Sequence, residues 1–390
     1  MTHEERLDRM RRAMEAERLD VLILRLPENV LLLSGYWPMI GAGVLAFPLE
    51  GNSVFVNPHC YESEANLSLW DSEVVNYSYG VLGATEQSLA LRQILAEIAR
   101  GRSWRRIGYE GAIKIVAPSW NAAELLVPQT RDLLDAVFNN AELLDASALL
   151  ESQRLRKTAY EVGKLRTASE ISSIGLEAFQ KWVSVGISGV RLAAEVEREI
   201  MALGTGYKGA IRVRAFAQVA VGPDESAVGY RPNEVSTTRP LNDGDIALLE
   251  LGVVVDGYWA DRTRVRVAGK PTDEQLRIFD VVRNAQRAAV GAIRSGVTGA
   301  QVDAAARQVI GQEGLAEFFP HITGHGLGFR YHESAPILSP DSTEILEEGM
   351  LTSVEPGVYR KPFGGFRLED DVLVTARGAE VLGAFPMALS

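Results

Sequence analysis

Apolar residues recur at roughly helical spacing at the start of the chain. Leu7, Met10, Met14 and Leu19 fall among charges between Glu4 and Leu19, which predicts an amphipathic surface helix. The period then changes. Asp20 to Leu24 is short, apolar and β-branched, Pro27-Glu28-Asn29 punctuates it, and further short apolar runs at Val44 to Pro48, Ser53 to Asn57 and Val74 to Tyr79 predict strands. Residues 84–100 predict a helix that Gly101 can end, 105–109 a strand and 118–127 another helix. Strands alternating with helices make this first part α/β.

From Glu151 to about residue 203 the chain is charge-rich and mostly helical, with a break near Gly186–Gly189. The domain boundary is placed at its start, giving domains 1–154 and 155–390. Beyond it the pattern becomes runs of helix and of strand: strands over Arg212 to Val221 and Ile246 to Val267, helices over Thr272 to Arg294 and Gln301 to Glu313, then strands again. That is an α+β arrangement.

Within it, Asp256-Gly257 between two apolar runs is a tight-hairpin signal. If these two residues form the loop, Val255 pairs with Tyr258 and Glu250 lies opposite Thr263. The period of two then puts Asp261 on the same face, diagonal to Glu250 at roughly 7–8 Å between Cα atoms. A carboxylate in so apolar a run needs a partner, because burying it alone is costly. A salt bridge to Arg262 or Arg264, or a solvated strand face, would satisfy it without any function.

Composition narrows the field. The 390 residues carry 40 basic and 51 acidic side chains, a net charge of −11, a single cysteine (Cys60) and five histidines. An acidic chain without a Lys/Arg cluster argues against nucleic acid. The absence of a long apolar run argues against a membrane, and the lone cysteine against a disulfide framework, so the cytosol is expected. Three histidines, His321, His325 and His332, fall in one glycine-rich stretch, suited either to metal ligation or to proton transfer. Glu355 ends an apolar strand. Glu369 is read inside another, sharing a face with Arg367 and Asp371; an Arg–carboxylate pair at a sheet edge is the bland alternative. Together Glu250, Asp261, His325, Glu355 and Glu369 offer four carboxylates and one imidazole. Such a set suits two divalent ions such as Mn²⁺, Co²⁺, Fe²⁺ or Zn²⁺.

The motif order resembles the pita-bread hydrolases, which include methionine aminopeptidase, Xaa-Pro aminopeptidase, prolidase and creatinase. The resemblance rests on the Glu250–Asp261 hairpin with Gly257-Tyr258, Gly324-His325-Gly326, His332-Glu333, Glu355-Pro356-Gly357 and Phe366-Arg367-Leu368-Glu369-Asp370, and it covers about residues 155–390. The first part looks like the α/β domain of the creatinase and prolidase branch, with Leu33-Ser34-Gly35-Tyr36 at a recurrent family turn. The resemblance implies a creatinase-type α/β domain followed by an α+β pita-bread catalytic domain. It implies metal ligation by Asp261, His325, Glu355, Glu369 and Glu250, with Glu355 as base, His332 stabilising or protonating the intermediate, His321 lining the substrate pocket, and Arg367 orienting Glu369 or a substrate carboxylate. It also implies a homodimer.

Two positions depart from the family pattern: Glu250 stands where metal-dependent members carry Asp, and Gly229-Tyr230 where Xaa-Pro peptidases carry His before Tyr or a similar residue. The leading expectation is a dinuclear metal-dependent hydrolase that cleaves a short peptide or peptide-like amide. A metal-independent hydrolase of a small non-peptide substrate, similar to creatinase or ectoine hydrolase, is the alternative. A binding protein on a retired hydrolase fold is a third, disfavoured because four of the five ligand positions are unchanged.

Overall fold

The structure, a computed structural model, describes residues 3–38, 43–112, 126–231 and 236–390. They form two compact units, the first ending at Arg154 and the second running from Leu155 to Ser390.

The first unit contains α1 (Glu4–Glu17), β1 (Val21–Leu24), α2 (Pro27–Ser34), β2 (Val44–Pro48), β3 (Ser53–Pro58), α3 (Glu62–Ser68), β4 (Ser72–Tyr77), α4 (Gln87–Ala99), β5 (Arg106–Tyr109), α5 (Leu126–Val137), β6 (Glu142–Asp145) and α6 (Ser147–Leu155). Its strands make one mixed sheet in the order β4-β3-β2-β1-β5-β6. The turn expected at Pro27 instead opens α2: Pro27 occupies the first turn, where its missing N–H costs nothing. Gly35 then ends α2 with a positive φ of 75°. The helix expected over 118–127 lies almost wholly outside the described residues.

The second unit contains α7 (Ala159–Trp182), α8 (Gly189–Gly204), β7 (Val213–Val221), α9 (Gly222–Ser226), β8 (Ile246–Val255), β9 (Tyr258–Val267), α10 (Asp273–Ala292), α11 (Gly299–Gln312), β10 (Gly324–Gly326), β11 (Glu333–Leu338), β12 (Leu351–Val354), β13 (Gly357–Arg360), β14 (Gly364–Arg367), β15 (Asp370–Thr375) and β16 (Gly378–Val381). The strands form sheets β7-β8-β9, β11-β10-β12-β15-β16 and β13-β14. The α/β first unit and α+β second unit are the expected fold classes.

The hairpin has the register read from its turn, with Val255 opposite Tyr258 and Glu250 opposite Thr263. Asp256 and Gly257 take φ of 50° and 92°, the positive values a tight primed turn requires. Alternation then sorts the strand faces. Ala247, Leu249, Leu251, Val253 and Val255 pack with Leu176 and Phe179 of α7 and Leu192 and Val196 of α8. Ile246 and Leu248 pack with Val265 and Val267 against Ile278 and Val282 of α10 and Val302 and Ala306 of α11. Glu250 shares the parity of Ile246 and Leu248, so it points toward the second side, where the later strands also lie.

The helix pairs α7–α8 and α10–α11 turn alike. Gly186 (φ 89°) and Gly296 (φ 92°), 296 − 186 = 110 residues apart, donate backbone hydrogen bonds of 2.8 Å to the Leu241 and Leu346 carbonyls. Leu241 and Leu346 return 2.8 Å bonds to Ile187 and Val297, and Ser188 and Thr298 then cap α8 and α11.

Candidate metal centre

Five elements bring the acidic and imidazole groups together. Glu250 comes from β8 and Asp261 from β9, on one face of the hairpin. His325 is the middle residue of β10. Its flanking glycines let neighbouring backbone approach, since a Cβ at Gly324 would collide with the Ser353 carbonyl and one at Gly326 with that of Ala335. Glu355 follows β12. Glu369 lies in the break between β14 and β15, not inside a strand: β14 pairs with β13, whereas β15 pairs with β12 and β16. The expected alternation of Arg367, Glu369 and Asp371 therefore does not run through, because the chain changes sheet at Leu368-Glu369. Asp371 turns instead to Ser169, whose hydroxyl donates at 2.7 Å, and to the Asp261 N–H at 3.0 Å.

Among the described residues, candidate ligand atoms lie within 4.8 Å of one another in three overlapping sets: Asp261, His325 and His332; His325, Glu355 and Glu369; and Glu250, Asp261 and Glu369. Their hydrogen bonding is incomplete in an informative way. Both carboxylate oxygens of Asp261 and Oε1 of Glu369 are buried without a donor. Nδ1 of His325 lies 2.9 Å from the Gly326 carbonyl, which can only accept, so Nδ1 carries the proton and Nε2 presents a lone pair. That lone pair faces Asp261 Oδ2 and Glu355 Oε1, each at 3.4 Å. Acceptors converging on acceptors repel one another; a divalent cation resolves the conflict, and oxygens with one imidazole nitrogen fit such an ion.

The titration tendencies follow from this crowding. Burial, and then the charges of Glu369, Glu250 and other carboxylates, push Asp261 well above the usual range. Burial followed by Glu355 and Glu250 does the same to Glu369. Glu355 rises to about 8, burial being the main cause, with Arg367 opposing it. Glu250 goes the other way. Burial pushes it up, but the charge of Arg367 and hydrogen bonds from Tyr331, Thr263 and Arg367 bring it down to about 2.

Neither Arg262 nor Arg264 is the partner of Glu250; both pair with the buried Asp370, each at 2.7 Å. Arg367 is the partner, through a direct ion pair to Glu250 Oε2. Tyr331 donates its hydroxyl to Glu250 Oε1 at 2.7 Å. The Thr263 hydroxyl is 2.8 Å from Glu250 Oε2 and 2.7 Å from Glu369 Oε2 while accepting from Arg367 Nε at 3.0 Å. It has one hydrogen to share between two carboxylates. Thr263 carries no mark of a site residue in the sequence, although the hairpin register places it opposite Glu250. Tyr331 carries none either, because a tyrosine beside His332 has no distinguishing pattern.

Both nitrogens of His321 are engaged. Nδ1 donates to the Ile322 carbonyl at 2.7 Å and Nε2 accepts from the Tyr359 hydroxyl at 2.9 Å, which in turn accepts from Arg367 at 2.8 Å. Burial, reinforced by Arg367, lowers His321 to about 3; burial, reinforced by His325, lowers His332 to about 3. Both imidazoles are therefore neutral at ordinary pH. His332 packs on the ring of His325 at 4.3 Å. Gly229 contributes its carbonyl to Arg367 at 2.9 Å, and a Cβ there would lie only 3.1 Å from the Ser226 carbonyl.

The chain resembles known proteins along its whole length. Residues 6–156 match the creatinase/prolidase N-terminal domain. An Xaa-Pro dipeptidase of Pyrococcus furiosus is 28% identical over 381 residues, 97% of each chain. An uncharacterized peptidase, YqhT of Bacillus subtilis, is 28% identical over 98% of this chain and 99% of its own. Among solved structures, an Xaa-Pro dipeptidase from Bacillus anthracis superposes with a TM-score of 0.80 at 28% identity, covering 100% of this chain and 99% of the other. Residues 163–376, more than half of the chain, match a family model that takes in the five acidic and imidazole positions described above, and on that match the chain belongs to metallopeptidase family M24.

Proposed function

We propose that the protein is a divalent-metal-dependent hydrolase of the Xaa-Pro dipeptidase or aminopeptidase type, with residues 155–390 as its catalytic domain, cleaving a short peptide or peptide-like amide. The observation that carries this reading is the convergence of donorless oxygens of Asp261 and Glu369 with the His325 lone pair. In this reading Asp261, His325, Glu355 and Glu369 hold the metal, and Glu250 stands at the position of a further ligand. A bound divalent ion lowers the pKa of water and polarises the carbonyl under attack.

The chain's own groups do the rest. Glu355, oriented by the Ser353 hydroxyl at 3.0 Å and 3.4 Å from the free nitrogen of His325, is in this reading the carboxylate that accepts a proton and passes it to the leaving amine. His332, which burial pushes toward its neutral form, can donate a hydrogen bond to the developing oxyanion. His321 lines the pocket through its ring, because both its nitrogens bond within the protein. Two aromatic groups join the centre through its hydrogen bonds, Trp259-Tyr331-His332 through the Tyr331 hydroxyl on Glu250 and His321-Tyr359-Tyr230 through the Tyr359 hydroxyl on Arg367, and such rings suit a small, partly apolar substrate. Arg367 holds Glu250 in place, so its role is to set the charge and position of that carboxylate.

The reading includes a cytoplasmic homodimer, on the strength of the family resemblance and the single, exposed Cys60. No helix among the described residues is long and apolar enough to cross a membrane. A substrate panel tests the reading: Xaa-Pro and other dipeptides should be cleaved, while turnover of small cyclic or guanidino compounds without any dipeptide cleavage would favour the creatinase-like alternative.

A further inference from the structure

Resting on that metal-dependent reading, we propose that the centre holds one divalent ion per chain, with the Arg367 guanidinium, bound to Glu250, supplying the positive charge that a second ion would otherwise bring.

The four carboxylates are not equivalent. A carboxylate offers about four lone-pair positions. On Glu250 two are taken outright by protein donors, Tyr331 at 2.7 Å and Arg367 in direct contact, and a third lies 2.8 Å from the Thr263 hydroxyl, whose one hydrogen it shares with Glu369. Asp261 has no donor on either oxygen and Glu369 none on Oε1. The groups still needing a cation are thus Asp261, Glu369 and the His325–Glu355 pair, enough for one ion. Of the three convergent sets, only Glu250 with Asp261 and Glu369 draws on Glu250, and the other two members of that set belong to the first ion's donors. A second ion there would lie beside a guanidinium fixed on the same carboxylate. Its charge would be opposed by a cation that cannot lose its proton.

The donors on Glu250 are built in. The ring of Tyr331 lies against Gly252, two residues along β8, where an added Cβ would come within 2.8 Å of it. Arg367 is itself buried and anchored at every edge, by the Gly229 carbonyl at 2.9 Å, the Tyr359 hydroxyl at 2.8 Å and the Thr263 hydroxyl at 3.0 Å. A longer acid at position 250, a glycine two residues on, a tyrosine beside His332 and a fixed arginine make one matched arrangement. Its product is a carboxylate already neutralised by protein.

The test is the Mn²⁺ content of the full chain after chelation and titration, read by elemental analysis and by electron paramagnetic resonance. One Mn²⁺ per chain at saturation, with the spectrum of an isolated ion, is expected; so is the same ratio in Glu250→Gln, and at least about a tenfold weaker affinity in Asp261→Asn. Two ions per chain with an exchange-coupled spectrum overturn the inference while leaving metal-dependent hydrolysis standing. Loss of the ion in a folded Glu250→Gln variant overturns it too. A wild-type chain that binds neither Mn²⁺ nor, in the same titration read by elemental analysis, Co²⁺, Fe²⁺ or Zn²⁺ overturns both. The wild-type ratio decides the matter even if the variants do not fold.

Discussion

At the scale of single residues, the meaning of an acidic side chain depends on which donors reach it. Glu250, Asp261, Glu355 and Glu369 were all legible in the sequence as carboxylates set among apolar residues, and the hairpin register was legible because Asp-Gly fixes a two-residue turn. What separates Glu250 from the others was not legible. Tyr331 and Arg367 reach it from 81 and 117 residues away, and although Arg367 belongs to a recognisable motif, nothing in the sequence pairs either of them with Glu250. Another buried carboxylate, in the first unit, has no mark in the sequence at all. Glu110 accepts from the backbone of Arg25 at 2.9 Å and Leu26 at 3.0 Å and from the Asn29 side chain at 3.0 Å. Burial, opposed by these bonds, raises it to about 7 from an ordinary 4.5. The sign of the effect on folding follows. Below about pH 4.5 the group is neutral in both states and its contribution is full. As pH rises toward 7 the unfolded chain gives up its proton first, and stability falls by a few kcal/mol. Comparing thermal melts of wild type and Glu110→Gln from pH 4.5 to 8 should show a steeper decline in the wild type, because the variant lacks this one group's contribution. A difference between the two that does not change with pH would contradict the assignment.

At the scale of elements, the helices and strands that local pattern could reach were found, and the exceptions have long-range causes. Pro27 looks like punctuation until its place in the first turn of α2 is seen. Glu369 looks like a mid-strand residue because nothing in Gly364 to Thr375 shows that β14 and β15 pair with different neighbours. The repeated turns at Gly186 and Gly296 escape notice for a similar reason, since only backbone bonding to Leu241 and Leu346 makes them equivalent. The sheet change at Glu369 is held by a buried ionic group. Arg264 donates to the Glu369 carbonyl, and Asp370 pairs with both Arg262 and Arg264, with all three side chains almost fully inaccessible. Asp370→Ala would leave two guanidinium groups buried with one fewer counter-charge, so a loss of about 3–5 kcal/mol is expected in chemical denaturation. A loss under about 1 kcal/mol would mean that water or another acid replaces Asp370.

At the scale of the whole molecule, the two-part organisation was readable from the change in element pattern, and membership of metallopeptidase family M24 agrees with the motif order in the second part. The net charge of −11 concerns solubility more than mechanism, whereas the proposed chemistry rests on the few groups gathered at Asp261, His325, Glu355 and Glu369. The most direct test of metal-dependent hydrolysis is kcat/KM for an Xaa-Pro dipeptide, measured on the same preparation before chelation, after removal of metal, and after addition of Mn²⁺. Activity should vanish on chelation and return with the ion; undiminished cleavage by metal-free protein would contradict the account.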